Sequence, residues 1–434
     1  MTLTTFFLLI IVTFGKNTMD LCVVQKMTIG TDGKIPTNVF SADNGIIYEI
    51  KKDNQYCYGY VSLKNPNSTR CYSDKFIWWG EYGLGTVGIK VNSDTFTADT
   101  IQEKTEIQYF PTEKGITTML QVTVDWENFN KYAADGKTLL KISQYARGIT
   151  VLSTKSNNLM MVISFVTDDG KGSTGDVMFG YISFSESKLY IKYDKSFCSD
   201  ITTNFVESNL SEMNAYGNAI AFGSPKTRAD EFSTLTKNIL IMSIDDDTTN
   251  PHFPFSFSDK VFVPSPTQNL AALGKAIEIS NTYLMYSDPL SNRGIVYISR
   301  RLEGDAFDFR ATINPLPRWG NYQRFGAYMR VIELKDTTEV YAVAPSAWVH
   351  SDTRRAVAAG SESHEIIGII YQFSISGTHC EPKNYFFINS PITDGVMNST
   401  ISSLITISDR AYVTLTNYQG LYRLNCDQKT QIHL

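Results

Sequence analysis

Two neighbouring segments carry the densest recognition chemistry in this sequence. NPLPRWGNYQRFG, residues 314–326, holds Arg318, Trp319 and Tyr322. SAWVHSDTRRAVAAGSESHE, residues 346–365, holds Trp348, His350, Arg354 and Arg355. Trp, Tyr and Arg are enriched at binding hot spots. Flat rings and a forked guanidinium offer much contact for few rotors to freeze. A loop as long as the second is often functional when it occurs in a compact domain. These seven residues are the candidate ligand-binding set.

Catalytic and metal-binding patterns are missing. His252, His350, His364, His379 and His433 are scattered, with no HxH or HExxH spacing to cage zinc. Gly136-Lys137-Thr138 ends like a phosphate loop, but Lys131 stands where that loop needs its first glycine. No GxSxG nucleophile turn occurs. GKGSTGD, Gly170 to Asp176, reads as a hairpin turn. No catalytic residue and no cofactor is assigned. The net charge is −5 and no basic stripe is visible, which argues against nucleic acid.

The N-terminus, MTLTTFFLLIIVTFGKN, carries an apolar run from Phe6 to Phe14. A membrane helix takes about 20 such residues, whereas a secretory signal core takes roughly 7–15. Residues 1–15 are therefore expected to be a signal peptide and 16–434 a single domain, secreted or on the extracellular surface. No later run is long enough for a transmembrane segment. Six cysteines, Cys22, Cys57, Cys71, Cys198, Cys380 and Cys426, suit an oxidising compartment, although their number alone leaves the pairing open. Cys57 and Cys71 are close enough to bridge one outer turn. Asn67, Asn209 and Asn398 each open a glycosylation triplet.

The elements that must position these residues are strands, because the 25 Phe and 24 Tyr join abundant Val, Ile and Thr. One strand is written repeatedly. It reads GIIYEI at Gly45, TEIQYF at Thr105, GYISFS at Gly180, NILIMSI at Asn238, GIVYIS at Gly294, GIIYQF at Gly368 and GLYRLN at Gly420. The spacing is roughly 50–75 residues. Before the clearer copies comes an aromatic or apolar residue plus glycine, two strands around a polar turn, then a small residue plus proline. A fourth strand follows. Four strands per unit is the plan of a propeller blade, in which sheets cover one another and inner strands lose strict alternation. The expectation is an all-β, seven-bladed propeller with four-stranded antiparallel blades. The glycine before the marker strand is expected to permit a tight turn or a close neighbouring backbone.

Phe325-Gly326, Ala344-Pro345 and Gly368-Ile369-Ile370-Tyr371 resemble the FG-GAP repeat of integrin α-subunit propellers, most clearly over 146–375. The resemblance implies a ring closed by sharing one blade between the chain ends, with CVVQKMTI pairing near Cys426 and a Cys22–Cys426 bridge. Cys198 and Cys380 would then fall on nearly opposite blades, too far apart to pair. It also implies that the ligand face is built from loops leading into the first strand and loops joining the second to the third, where the seven candidates stand. Integrin-type calcium loops need closely spaced oxygen ligands. Here those turns read EISNTY (Glu278 to Tyr283) and ELKDTTE (Glu333 to Glu339), with too few carboxylates to support calcium. Asp168-Asp169-Gly170 and Asp245-Asp246-Asp247 fall elsewhere and read as solvated loops.

A second likeness is narrower. SADNGIIY, Ser41 to Tyr48, resembles the Asp-box of sialidases, which are also propellers, but it occurs once. It implies a carbohydrate-active enzyme or lectin as the alternative to an adhesion or protein–protein interaction module. The sialidase arginine clamp cannot be assigned among Arg318, Arg324, Arg354 and Arg355. The partner expected is an extracellular protein or glycan, with a membrane-bound partner chain as a variant of the same reading. Phe76-Ile77-Trp78-Trp79 reads as packing within the early blades.

Overall fold

The computed structural model describes strands and adjoining turns between residues 18 and 433. Left out of the description are residues 1–17, short breaks within and beside strands, and longer stretches at 28–37, 92–104, 112–119, 126–138, 142–148, 193–211, 224–238, 264–272, 317–322, 346–363, 392–400 and 416–420.

Every regular element among the described residues is a β-strand. The strands pair into seven sheets. The first holds Asn38–Ala42, Gly45–Lys52, Gln55–Ser62 and Ser68–Tyr72. The second holds Phe76–Glu81, Gly85–Val91, Thr105–Pro111 and Leu120–Gln121. The third is built on Ile149–Ser153, Leu159–Asp168, Ser173–Ser183 and Lys188–Lys192. The fourth starts with Glu212–Tyr216, Ala219–Gly223 and Ile239–Asp246. The fifth holds Ile277–Ile279, Tyr283–Asp288, Ile295–Arg301 and Phe307–Ile313. The sixth is built on Met329–Glu333, Thr338–Ala344, His364–Ser376 and His379–Pro391. The seventh holds Ile401–Ile407, Arg410–Leu415, Leu421–Arg423 and Gln25–Met27. The first strand of each sheet adjoins the first strand of the next, and Ile401–Ile407 returns to Asn38–Ala42. The circuit is closed, so the fold is a β-propeller.

The driving force is burial of both sheet faces. All seven positions of Thr338–Ala344 are buried, as are all six of Tyr283–Asp288. Val340, Ala342 and Ala344 enter the core shared with the fifth sheet, while Tyr341 and Val343 enter the core shared with the seventh. Similar clusters fill the seams from the first sheet through to the fifth. Each large apolar side chain sealed there contributes about 1.5–3 kcal/mol. Outer strands alternate instead, as Lys188–Lys192 does.

Closure uses both ends of the described chain. Gln25–Met27 pairs antiparallel with Leu421–Arg423, completing the seventh sheet. Thr18–Val23 lies parallel to His379–Pro391 and antiparallel to Lys429–His433, extending the sixth. Disulfides join Cys22 to Cys426 and Cys57 to Cys71. Cys57 and Cys71 face each other directly across paired strands. Cys380 is a free thiol, and Cys198 lies outside the described residues.

Two sequence expectations need correction. The blades are not uniformly four-stranded, because the third, fourth and sixth sheets carry additional strands. Also, GIIYEI is the second strand of its sheet, not the third. The third is Gln55–Ser62, whose Gly59-Tyr60-Val61-Ser62 is the counterpart of GYIS at Gly180. A strand buried on both faces gives second and third positions the same composition, so the two are easily exchanged.

Candidate functional site

The lead-in to the sixth sheet and the loop between its second and third strands leave from the same end. Met329 pairs with Ala342 and Ala344 with Ile369 at that end, whereas Glu333 pairs with Thr338 at the other. The third and fourth strands then run on past Ala344, with Ile366 opposite Asn389 and His364 opposite Pro391. A two-stranded ribbon therefore rises beside the loops. A second ribbon rises from the same end of the third sheet, where Asp168 pairs with both Ser173 and Leu139.

The base of the lead-in loop is pinned from inside. Gln323 is fully buried, and its Nε2 donates to the Leu316 carbonyl at 2.6 Å. The Tyr371 hydroxyl donates to Gln323 Oε1 at 3.0 Å and accepts from the Leu316 amide at 3.3 Å. Leu316 and Gln323 are thus both held by one tyrosine of the marker strand. Phe325 packs edge-on against Tyr371, with ring centroids 4.8 Å apart. The Gly326 amide donates to the Val343 carbonyl at 2.9 Å, and the Ser287 hydroxyl donates to the Gly326 carbonyl at 2.7 Å. Arg324 is exposed between them, with a left-handed φ of 54°.

Gly294 shows what one of the marker glycines does. Its φ is 94°, and a Cβ there would lie 2.2 Å from the Phe325 carbonyl oxygen. The glycine of one sheet makes room for the Phe-Gly backbone of the next, the close approach that the sequence suggested.

Arg318, Trp319, Tyr322, Trp348, His350, Arg354 and Arg355 all lie outside the described residues, as do Asn67, Asn209, Asn398 and the apolar N-terminal run. What is described is the frame on which the candidate loops stand. Gln323 and Tyr371 were not singled out from sequence. The signal was present in the tyrosine that recurs in the marker strand, which reads as packing until its hydroxyl is located.

Carboxylates elsewhere are engaged structurally. Glu49, buried between the first and second sheets, accepts from Tyr58 Oη at 2.9 Å. Burial, then the Glu49 charge, pushes the Tyr58 phenol far above its ordinary range. Glu339 accepts from Tyr341 Oη at 3.1 Å, from Gln372 Nε2 at 2.8 Å and from Lys383 Nζ. Burial, then Glu381, pushes the Cys380 thiol up to about 12, far from a reactive thiolate. Among the described residues no three His, Cys, Asp or Glu side chains converge on a metal position. Phe76 is fully buried in the first seam, in line with its reading as packing.

No protein-family model matches the chain, and no curated protein matches it. Among solved structures it is similar to the lmo1340 protein of Listeria monocytogenes EGD-e, at 11% identity and a TM-score of 0.43, over 94% of this chain and 99% of that one. It is similar to BamB from Moraxella catarrhalis, at 6% identity and a TM-score of 0.42, over 93% and 98%. It is also similar to the WD40 domain of Toxoplasma gondii coronin, at 8% identity and a TM-score of 0.41, over 96% and 85%.

Proposed function

We propose that this chain is a secreted, glycosylated propeller of FG-GAP type, each sheet serving as one blade, that binds an extracellular protein through the loop end of its sixth sheet. The observation that carries the reading is the pinned loop base, Leu316–Tyr371–Gln323. A tyrosine held in the core fixes where the lead-in loop begins and ends, beside the exit of the 346–363 loop. Loops that start from fixed strand ends lose little freedom on docking, which favours affinity. Two disulfides are compatible with an extracellular address. Among the described residues no helix is long and apolar enough to cross a membrane.

The test is capture of the purified chain on a panel of cell-surface ectodomains. Replacing residues 346–363 by a short Gly-Ser linker is expected to lower capture at least ten-fold with the thermal midpoint unchanged. Equal capture by the linker variant would remove the sixth-sheet rim from the contact. Turnover of an aryl-sialoside by the unmodified chain would replace the whole reading with a hydrolase.

A further inference from the structure

The two disulfides sit in different surroundings. Cys57 and Cys71 face each other across Gln55–Ser62 and Ser68–Tyr72. Ser68–Tyr72 ends the first sheet and has a strand partner on one side only among the described residues. Cys71 is exposed there, while Cys57 is 4% exposed. One half of this bridge is therefore open to solvent. Cys22 differs. It is 1% exposed, and its strand is paired on both sides, with Phe386 opposite on one and Lys429 on the other. Its partner Cys426 is half-buried against the core between the sixth and seventh sheets. Thiol–disulfide exchange needs a thiolate to reach one sulfur, so access helps decide which bridge opens. The backbone adds to the contrast. The ladder holds the Cα atoms of Cys57 and Cys71 3.9 Å apart, nearer than the roughly 4.4–6.8 Å that disulfides usually span, whereas those of Cys22 and Cys426 are 4.8 Å apart. A bridge outside the usual span is easier to reduce.

Opening this bridge would not open the ring. Ser68–Tyr72 keeps its ladder with Gln55–Ser62, from Tyr72 opposite Tyr56 to Ser68 opposite Tyr60. The Tyr72 ring also packs edge-on against Phe76, with centroids 5.0 Å apart, and lies 6.2 Å from the Tyr58 ring. The outer strand would lose a covalent tie and keep its other contacts, so it would loosen in place. We infer that Cys57–Cys71 is a redox-sensitive clasp on the outer strand of the first sheet, opened by a dithiol reductant from its Cys71 side, while Cys22–Cys426 is the permanent closure of the ring. A thiolate of the dithiol attacks Cys71 Sγ and forms a mixed disulfide. The Cys57–Cys71 bond breaks, and its electron pair leaves on Cys57 Sγ, which takes up a proton. The dithiol's second thiolate then attacks the reductant's sulfur in the mixed disulfide, and Cys71 leaves as a thiolate that is protonated in turn. The bridge gains two electrons and two protons, and the dithiol becomes a disulfide. The clasp stands apart from the sixth-sheet rim and does not depend on the binding proposed there.

The experiment is a timed reduction of the full, folded chain with dithiothreitol, its free thiols blocked beforehand, followed by alkylation and peptide mass spectrometry. Cys57 and Cys71 should be labelled at least ten-fold faster than Cys22 and Cys426, at a rate that urea well below the unfolding midpoint does not change. Reduced glutathione, which carries one thiol, should leave its adduct on Cys71 rather than Cys57. After selective reduction, amide hydrogen exchange should quicken at residues 68–72 and stay unchanged in Thr338–Ala344. The inference is overturned if Cys22–Cys426 opens as fast, if Cys57–Cys71 opens only as the chain unfolds, if the adduct falls on Cys57, or if exchange at residues 68–72 does not respond.

Discussion

Asp246 shows how one carboxylate ties two sheets. It accepts from Thr154 Oγ1 at 2.6 Å, Asn158 Nδ2 at 2.8 Å and the Ser156 amide at 3.3 Å, all on the first turn of the third sheet. Those bonds, Thr154's first and Asn158's next, hold its carboxyl down at about 2. The folded value lies below the ordinary aspartate value of about 3.9. The tie is therefore fully present above about pH 4 and fades as the pH falls toward 2. A carbon-detected carboxyl titration is expected to place the Asp246 midpoint near 2, and Asp246→Ala should flatten the acid limb of the stability curve. An ordinary midpoint near 3.9 would mean that the bonds do not persist in solution. The sequence reading placed Asp245 to Asp247 in a solvated loop. It had no means of finding donors in a turn distant along the chain, so this tie was illegible until the ring brought the turns together.

At the scale of elements, the fit between Gly294 and Phe325 separates shape from backbone freedom. Gly294→Ala adds a Cβ against the Phe325 backbone at a positive φ, whereas Gly217→Ala adds one into open space at a φ of 58°. The first is expected to cost more than about 2 kcal/mol and the second about 1 kcal/mol. Urea unfolding of the two variants measures the difference, and equal losses would show that the contact is unimportant. The repeat was legible because strands buried on both faces are composed alike. The marker glycines share a place but not a contact, since a Cβ at Gly368 would meet the Ile401 side chain rather than a Phe-Gly backbone. Where second and third strands are buried alike, the marker could not show its own position, and GIIYEI was placed one strand too late. The extra strands of the third and sixth sheets were not legible either. Leu139–Lys141 and Lys429–His433 are too short to announce themselves and take their register from partners far along the chain.

At the scale of the molecule, stability depends on how the circuit is shut. The Cys22–Cys426 bridge spans 404 residues, and Cys57–Cys71 spans 14. Longer bridged loops lose more unfolded-state entropy, so removing the first bridge with Cys22→Ser and Cys426→Ser is expected to cost more than removing the second. Both losses should fall on the order of 2–5 kcal/mol. Calorimetry of the paired variants checks the order, and a larger loss from Cys57→Ser with Cys71→Ser would contradict it. The ring was readable because it follows from local strand grammar repeated along the chain, whereas its manner of closing came only as what the FG-GAP resemblance implied. The loop frame at Tyr371 was not, since the recurring tyrosine shows in the sequence but the partners of its hydroxyl do not.

The strand Gln25–Met27 waits for Leu421–Arg423. During synthesis that wait lasts until residues 421–423 have been made. Residues 25–27 would emerge without their partner, and the seventh sheet would stay open until residues 421–423 clear the ribosome. Closure of the ring then comes late, and the cell must shield an unpaired strand edge until its partner arrives.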